Sequence, residues 1–267
     1  DPKDSSDKHL TFDKPLIEVL RGYEFKLTKV YIKDLTFLDA SAVTIGSQIN
    51  QVYIDESEFT RLTRKTSTDV ADYKLKGSVL DADFTTKEKV PTLSIKNSNF
   101  EGNYVIPPKT EPATTQIKAR TNKPVNADEP EILDEEKCGW EESAISIIGG
   151  VTDIENTKFK QFTQGAIYIK GGSLNILPST TFDYNFSPYS SDARPNLGRN
   201  IICDGDLTQI EGTSYEIPDT HIHADPQSFL EDGEPIESYW ILRKGECKID
   251  GGLSNSASYL FQPSIES

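Results

Sequence analysis

The sequence is poor in several residue types: it has no Met, three Cys, three His and two Trp among 267 residues. It also lacks any run of about 18 apolar residues, the length at which a helix spans a bilayer. We therefore expect no direct insertion into a membrane. No signal-peptide pattern is visible at the start. Because the chain begins at Asp1, we interpret it as a processed or excised piece of a longer product.

Basic residues are scarce relative to acidic ones. The chain has 28 Lys and Arg against 43 Asp and Glu, which gives a formal net charge of −15 and a pI of about 4.7. The field of such a surface repels the phosphates of nucleic acids and the headgroups of anionic lipids. We therefore exclude nucleic acid as a partner.

Short runs that end in Phe recur along the chain. Each has apolar residues at positions i and i+2, then a turn-favouring pair, and then the Phe. These Phe residues are separated by 22, 41, 59 and 23 residues, and they are Phe37, Phe59, Phe100, Phe159 and Phe182. A second column precedes its own Phe by 15 to 17 residues, at Ala42–Ile45, Ala144–Ile147 and Ala166–Ile169. Internal repeats of about this length are typical of solenoids.

The alternation of apolar and polar residues within each run indicates β-strands rather than helices. We predict an all-β fold: a right-handed, single-stranded parallel β-helix with about 22 residues per coil, in which the five Phe residues form a buried ladder. Asn97 and Asn156 are expected at corners, with their amides bonded to turn backbone groups. The Gly pairs after apolar strands, such as Gly171–Gly172, indicate corners without room for a side chain. A β-sandwich also alternates, but it does not explain a fixed order of columns.

The composition indicates a single domain, preceded by a linker and interrupted by two loops. Residues 1–14 are interpreted as a linker or arm, and residues 15–267 as a single β-helix domain whose amino end is closed by a short cap at Pro15–Arg21. Two Pro-rich or acidic segments, 105–137 and 211–237, are predicted to be loops extruded from the stack.

Two motifs carry a resemblance to a known family. Gln164–Ile167 followed by Phe182–Asn185, together with Phe100–Asn103, resembles the GGA(I/L/V) and FxxN repeats of polymorphic outer-membrane-protein-like β-helices. Gly198–Cys203 and the end from Tyr239 onward resemble the variety found in large surface proteins of anaerobic flagellate protists. The likeness covers about residues 25–104 and 140–267, although three of the five Phe runs lack FxxN. It implies a β-helix and a cell-surface role, and it specifies no ligand.

The three cysteines are too few to build a disulfide scaffold, and their odd number leaves at least one unpaired within the chain. Cys203 and Cys247 would lie two coils apart, about 9.6 Å, if the winding were continuous, which is too far for a disulfide. If segment 211–237 is extruded, they fall on adjacent coils and can bridge. We predict this disulfide, with Cys138 free or intermolecular.

Candidates for chemistry are few. Two pairs of acidic residues can each face one side of a strand, as a metal site or an acid–base pair requires: Asp81 with Asp83, and Asp204 with Asp206. A chain so rich in acidic residues, however, produces such pairs on any solvated face. No metal site is predicted; His221 and His223 are weak candidates without an evident third ligand, although Asp219 and Asp225 are near. No cofactor is indicated.

Two further features concern sugars. Asn185 begins an Asn-x-Ser sequon and is a candidate for glycosylation. The aromatic residues Trp140, Tyr239 and Trp240 either form a platform for sugars or cover the core where a loop leaves the stack.

These observations favour a structural or adhesive module of the cell surface or extracellular space, within a larger fibrous or filamentous assembly. Its expected partners are other copies or further domains of the same protein, joined head to tail, and surface glycans. The head-to-tail expectation rests on Tyr259–Phe261, which is still apolar and strand-like near the carboxyl end. The alternative is a β-helix enzyme that acts on polysaccharides, a lyase or hydrolase, or a carbohydrate-binding module.

Overall fold

A computed structural model describes residues 10–65, 77–85, 90–103, 143–162, 165–183, 185, 200–205, 219–225 and 240–251, with only the backbone path for 240–245. Within these ranges the chain forms 18 β-strands and no helix. Every strand pair is parallel. The prediction of an all-β chain built from parallel strands is therefore confirmed for these residues.

The alternation seen in the sequence is the alternation of burial in the strands, because successive side chains point to opposite faces. In Thr92–Lys96, for example, Leu93 and Ile95 are buried while Thr92 and Lys96 are exposed. The strands are β1 Leu10–Phe12, β2 Ile17–Thr28, β3 Tyr31–Leu38, β4 Val43–Asp55, β5 Glu58–Lys65, β6 Leu80–Asp83, β7 Thr92–Lys96, β8 Asn99–Glu101, β9 Ile145–Ile148, β10 Val151–Glu155, β11 Lys158–Lys160, β12 Ile167–Lys170, β13 Ser173–Ile176, β14 Thr181–Asp183, β15 Ile201–Gly205, β16 Thr220–Ala224, β17 Trp240–Gly245 and β18 Cys247–Gly251.

The strands form two sheets. One is six-stranded in the order β1-β3-β5-β8-β11-β14, and the other is 12-stranded in the order β17-β15-β12-β9-β6-β4-β7-β10-β13-β16-β18, with β2 paired to β4. The long strand β4 joins two parts of the larger sheet, since its first residues pair with β6 and its last residues pair with β7. We call the β6 side the first face, the β7 side the second face and the six-stranded sheet the third face.

The chain visits these faces in a fixed order, first, second and third, and then begins again beside its previous path. One such passage is a layer. Strands β9, β10 and β11 make one layer, and β12, β13 and β14 make the next. Because each strand pairs with its counterpart in the layers before and after it, like residues stack on like. This arrangement is consistent with a parallel β-helix or related β-solenoid.

The core is made of columns that run through the layers. On the second face one inward column contains Leu27, Ile54, Ile95, Ile154 and Ile176, which are all buried. On the third face four of the repeated Phe rings are stacked, with centroids 5.2 Å apart for Phe59 and Phe100, 4.8 Å for Phe100 and Phe159, and 5.3 Å for Phe159 and Phe182. Each stacked pair adds about 0.5–1.5 kcal/mol to the burial of the rings.

The prediction that Phe37 belongs to this ladder is wrong. Phe37 is buried, but it pairs with Arg64 and stacks on Phe12 at 5.8 Å, whereas the residue beside Phe59 is Ile32. Ile32 and Phe59 are 27 residues apart, which exceeds the period of about 22 residues on which the alignment of the runs depends. The run from Val30 resembles the run from Val52, which lies in the second-face part of β4. The run from Val30 nevertheless lies after the corner, on the third face.

The corner between the second and third faces has a repeated chemistry. In each of the five layers for which this corner is described, one residue has a left-handed backbone, with φ from 45° to 63°: Lys29, Glu56, Asn97, Asn156 and Ser179. The next residue in three layers is a hydroxyl residue that donates to the carbonyl two positions earlier, as Ser57 does to Asp55 at 2.8 Å. Asn and Asp tolerate this conformation best, and at Glu56 the hydroxyl bond of Ser57 supports it as well.

The two corner asparagines do not bond to turn backbone, as the sequence suggested. Asn156 Nδ2 donates to Asn97 Oδ1 at 2.8 Å, and Asn97 Nδ2 donates to Asp55 Oδ1 at 2.9 Å. These side chains therefore form a ladder between layers, and the hydroxyls take the backbone role.

The corner between the first and second faces depends on glycine. Gly149, Gly150, Gly171 and Gly172 all have positive φ. A Cβ added to Gly172 would lie 2.2 Å from the Gly150 carbonyl oxygen, because the two corners stack directly on each other. No other residue fits there without moving the backbone.

Two predicted boundaries are corrected. The domain begins before residue 15, because Leu10–Phe12 pairs with β3, and the expected cap at Pro15–Arg21 lies largely in strand β2. The expected loop 211–237 contains strand β16, which pairs with β13 and β18. Its alternation is clear, with Thr220, Ile222 and Ala224 buried, but the prolines that flank it concealed this. The predicted loop at 105–137 lies outside the described residues.

Candidate functional site

The second face carries two outward columns that run through seven strands, from β2 to β18. We call them the exposed columns. The register places Glu24, Gln51, Thr92, Val151, Ser173, His221 and Lys248 in one, and Lys26, Tyr53, Ser94, Asp153, Asn175, His223 and Asp250 in the other.

Neighbouring members of the second exposed column interact. Asn175 Nδ2 donates to Asp153 Oδ1 at 2.7 Å, and the Lys26 ammonium lies 5.3 Å from the centre of the Tyr53 ring.

At one end of the exposed columns a carboxylate lies between two imidazoles. His221 Nε2 is 2.9 Å from Asp250 Oδ2, and His223 Nδ1 is in contact with Asp250 Oδ1. The hydrogen bonds from His221 and His223 hold the pKa of the Asp250 carboxyl below its ordinary value of 3.8. All three side chains are exposed.

This cluster supplies the third group that the sequence did not reveal. Asp219 pairs instead with Lys248, at 3.1 Å. Asp250 was missed because its neighbours on β16 come from the previous layer, which only the register shows. Each of its oxygens faces a different ring, so the three groups do not converge on one point. Among the described residues no group of three or more His, Cys, Asp or Glu is arranged to hold a metal ion.

Asn185 is a structural residue rather than a glycosylation site. It is fully buried, and its Nδ2 donates to the Phe159 carbonyl at 3.1 Å and to Asn200 Oδ1 at 3.0 Å. Its Oδ1 accepts from the Phe162 backbone N–H at 3.1 Å. The glycosylation prediction is contradicted for the folded chain, since a glycan on Nδ2 has no room and would disrupt these bonds. The Asn of the FxxN motif binds the layer before it.

Cys203 and Cys247 are joined by a disulfide, with Cα atoms 6.6 Å apart. The premise of the prediction was wrong, because strand β16 occupies part of the supposed loop. The cysteines nevertheless lie in adjacent layers, one on β15 of the first face and the other on β18 of the second face. The bridge therefore runs between faces rather than along a column. Cys138 lies outside the described residues.

The acidic pairs are separated in the structure. Asp83 accepts bonds from the backbone N–H and the hydroxyl of Thr85, at 3.0 and 2.6 Å, which closes a turn. Asp204 is buried and accepts a bond from the Tyr168 hydroxyl at 3.1 Å. Strands β9 and β12 lie between β6 and β15, so the pairs are about 14 Å apart. Asp206, Trp140 and Tyr239 lie outside the described residues, as does the side chain of Trp240.

The layer nearest the amino terminus exposes several large apolar and aromatic side chains. Its large side chains are exposed, with fractions of 64% for Leu10, 57% for Leu20, 68% for Tyr23 and 71% for Tyr31. Inward-facing residues of this layer are only partly buried, and they are Phe12, Ile17, Val19, Phe25 and Ile32. Among the described residues β2 pairs with β4 alone. The sequence placed the uncovered end at Tyr259–Phe261, which lies outside the described residues.

No protein-family model matches the chain, and no curated protein or solved structure is significantly similar to it. Among the described residues, no helix has the length and apolar character needed to cross a membrane.

Proposed function

We propose that this chain is a right-handed parallel β-helix that serves as a structural or adhesive module in a larger fibrous assembly of the cell surface or extracellular space. The observation that carries this proposal is the continuous register of the second face, which keeps the same columns from β2 to β18. The right-handed winding follows the twist preference of parallel crossovers.

Two properties of the stack suit a load-bearing spacer. Neighbouring layers are bound by ladders of backbone hydrogen bonds on the first and second faces and, from β1 to β14, on the third face, and inside by stacked side chains such as Phe100 and Phe159 at 4.8 Å. The disulfide between Cys203 and Cys247 then fastens the last two layers to each other. Seven layers at about 4.8 Å make a rod segment about 30 Å long.

The acidic residues support the same function rather than an enzyme. A polysaccharide lyase or hydrolase needs carboxylates and a base that converge in one cleft. Asp81 and Asp83 on β6 are instead separated from Asp204 on β15 by two intervening strands. Asp83 accepts a bond from Thr85 in its own layer, and Asp204 accepts one from Tyr168 in the adjacent layer.

Immunogold electron microscopy on unpermeabilised source cells tests this proposal. Antibodies raised against the purified chain should label surface fibres, while preimmune serum should not. Labelling confined to the interior of permeabilised cells would contradict the surface role. Release of sugars from acidic polysaccharides by the purified chain would favour the enzymatic alternative instead.

A further inference from the structure

We propose that copies of this chain associate head to tail through one defined strand pair. The edge of β18 in one copy adds in parallel to the edge of β2 in the next, in the register that continues the exposed columns. This inference rests on the proposed structural function and specifies its partner and contact. Within the part of the chain that the structure describes, β18 pairs only with β16 and β2 only with β4, so each is an edge strand of the described sheet.

The register of the columns determines which residues would meet. Lys248 belongs to the same column as Glu24, and Asp250 belongs to the same column as Lys26. Continuing the stack by one layer therefore places Lys248 beside Glu24 and Asp250 beside Lys26. The two ends of the rod carry opposite charges at both outward positions.

The same charges disfavour other registers. A shift of two residues in one direction places Lys248 beside Lys26, and a shift in the other direction places Asp250 beside Glu24. Like charges directly opposite each other in neighbouring strands are destabilising. A shift of one residue would turn inward-facing side chains outward. The charge pattern thus selects one register.

The inward positions fit as well. Ile249 falls in the column of Phe25, and each is only partly buried at its own end of the chain. On the first face the register places Trp240 and Leu242 in the columns of Ile17 and Val19. An added layer would convert half-buried columns into core, and it would lie over the exposed amino-terminal surface.

A second copy fits this edge better than an unrelated strand for a specific reason. The partner must offer a parallel edge with an inward apolar residue between a cation and an anion, in that order. Lys248, Ile249 and Asp250 have this sequence. Within one copy Glu24 pairs with Lys26 at 2.9 Å and Lys248 with Asp219 at 3.1 Å, so association exchanges these exposed ion pairs for pairs between copies. One end meeting a different end is a heterologous contact, which propagates into a filament.

Complementary charge variants of the full chain test the contact. Glu24→Lys places a cation opposite Lys248, and Lys248→Glu places an anion opposite Glu24. Each variant alone should associate about tenfold more weakly than the wild type. An equimolar mixture should associate like the wild type, because each introduced charge then meets the opposite introduced charge, and the other ends make the native pair. Sedimentation velocity over a range of concentrations measures this.

Glu58→Lys is the matched control, since it makes the same change of net charge on the third face, away from both edges. It should leave association unchanged. The proposal is overturned if each variant associates as the wild type does, if the mixture fails to recover, or if the wild type stays monomeric at its highest accessible concentration. Small-angle X-ray scattering of the monomer separates the two proposals: a rod-like monomer that never associates removes this contact alone, whereas a monomer without rod character removes the structural function too.

Discussion

The core contains one hydroxyl whose removal should stabilise the protein. Thr152 lies in an inward column of the second face, between Leu93 and Leu174, and is fully buried. Its Oγ1 has no hydrogen-bond partner among the described residues. Burying a hydroxyl without a partner costs about 1–3 kcal/mol, and a buried methyl group in its place contributes about 0.8 kcal/mol. Thr152→Val should therefore raise the free energy of unfolding by about 1–3 kcal/mol.

Thr157→Val is the matched control because it makes the same chemical change at another buried threonine. Thr157 Oγ1 donates to the Glu155 carbonyl at 2.9 Å, at the corner between the second and third faces. Losing this bond should lower the free energy of unfolding by about 1 kcal/mol. Urea unfolding followed by circular dichroism measures both variants. If both changes shift stability in the same direction, the assignment of the two hydroxyls, and the layer register behind it, is refuted.

Three further predictions concern the Phe ladder, Asn185 and the cluster of Asp250 with two histidines. Phe100→Ala should lower the free energy of unfolding by about 3–5 kcal/mol, because it removes a buried ring that stacks on both Phe59 and Phe159; urea unfolding measures the loss. Asn185 should remain unmodified in peptides from folded chain secreted by eukaryotic cells, as mass spectrometry would show, whereas a glycan there would contradict its burial. The pKa of Asp250 is lowered in the folded state, so its contribution is present above the unfolded pKa and is lost as pH falls through the folded pKa. The wild type should therefore lose more stability than Asp250→Asn between about pH 5 and pH 2. Urea unfolding at several pH values in this range measures both proteins. If their free energies of unfolding fall equally, the contacts of Asp250 with His221 and His223 do not stabilise the folded state.

The repeated features of the fold could be predicted from the sequence, because a solenoid converts sequence period into spatial contact. The rings of Phe59, Phe100, Phe159 and Phe182 follow a corner in each layer, so aligning the runs was enough to find their stack. Phe37 was misplaced because the layer from Ile32 to Phe59 has 27 residues rather than the expected number of about 22. The alignment assumed one period. It could not detect the extra residues, because the run that ends at Phe37 alternates in the same way as the other runs.

The contacts of the candidate site were harder to predict because they join residues from different layers. Asp250 meets His221 and His223 only through the pairing of β18 with β16, and the sequence between these strands gives no sign of that register. Asn185 was interpreted from its sequon alone, although the FxxN motif that contains it has a structural meaning. Strand β16 is only five residues long and was obscured by Pro218 and Pro226 on either side.

Distances along the second exposed column test the layered stack most directly. Spin labels on Lys26→Cys combined with Asn175→Cys, His223→Cys or Asp250→Cys span four, five and six layers. In a Cys138→Ser background at low protein concentration, electron–electron double resonance should give mean distances of about 19, 24 and 29 Å, a steady rise of about 4.8 Å per layer. Distances that do not rise in this order, or that are equal for the three pairs, would contradict a parallel β-helix.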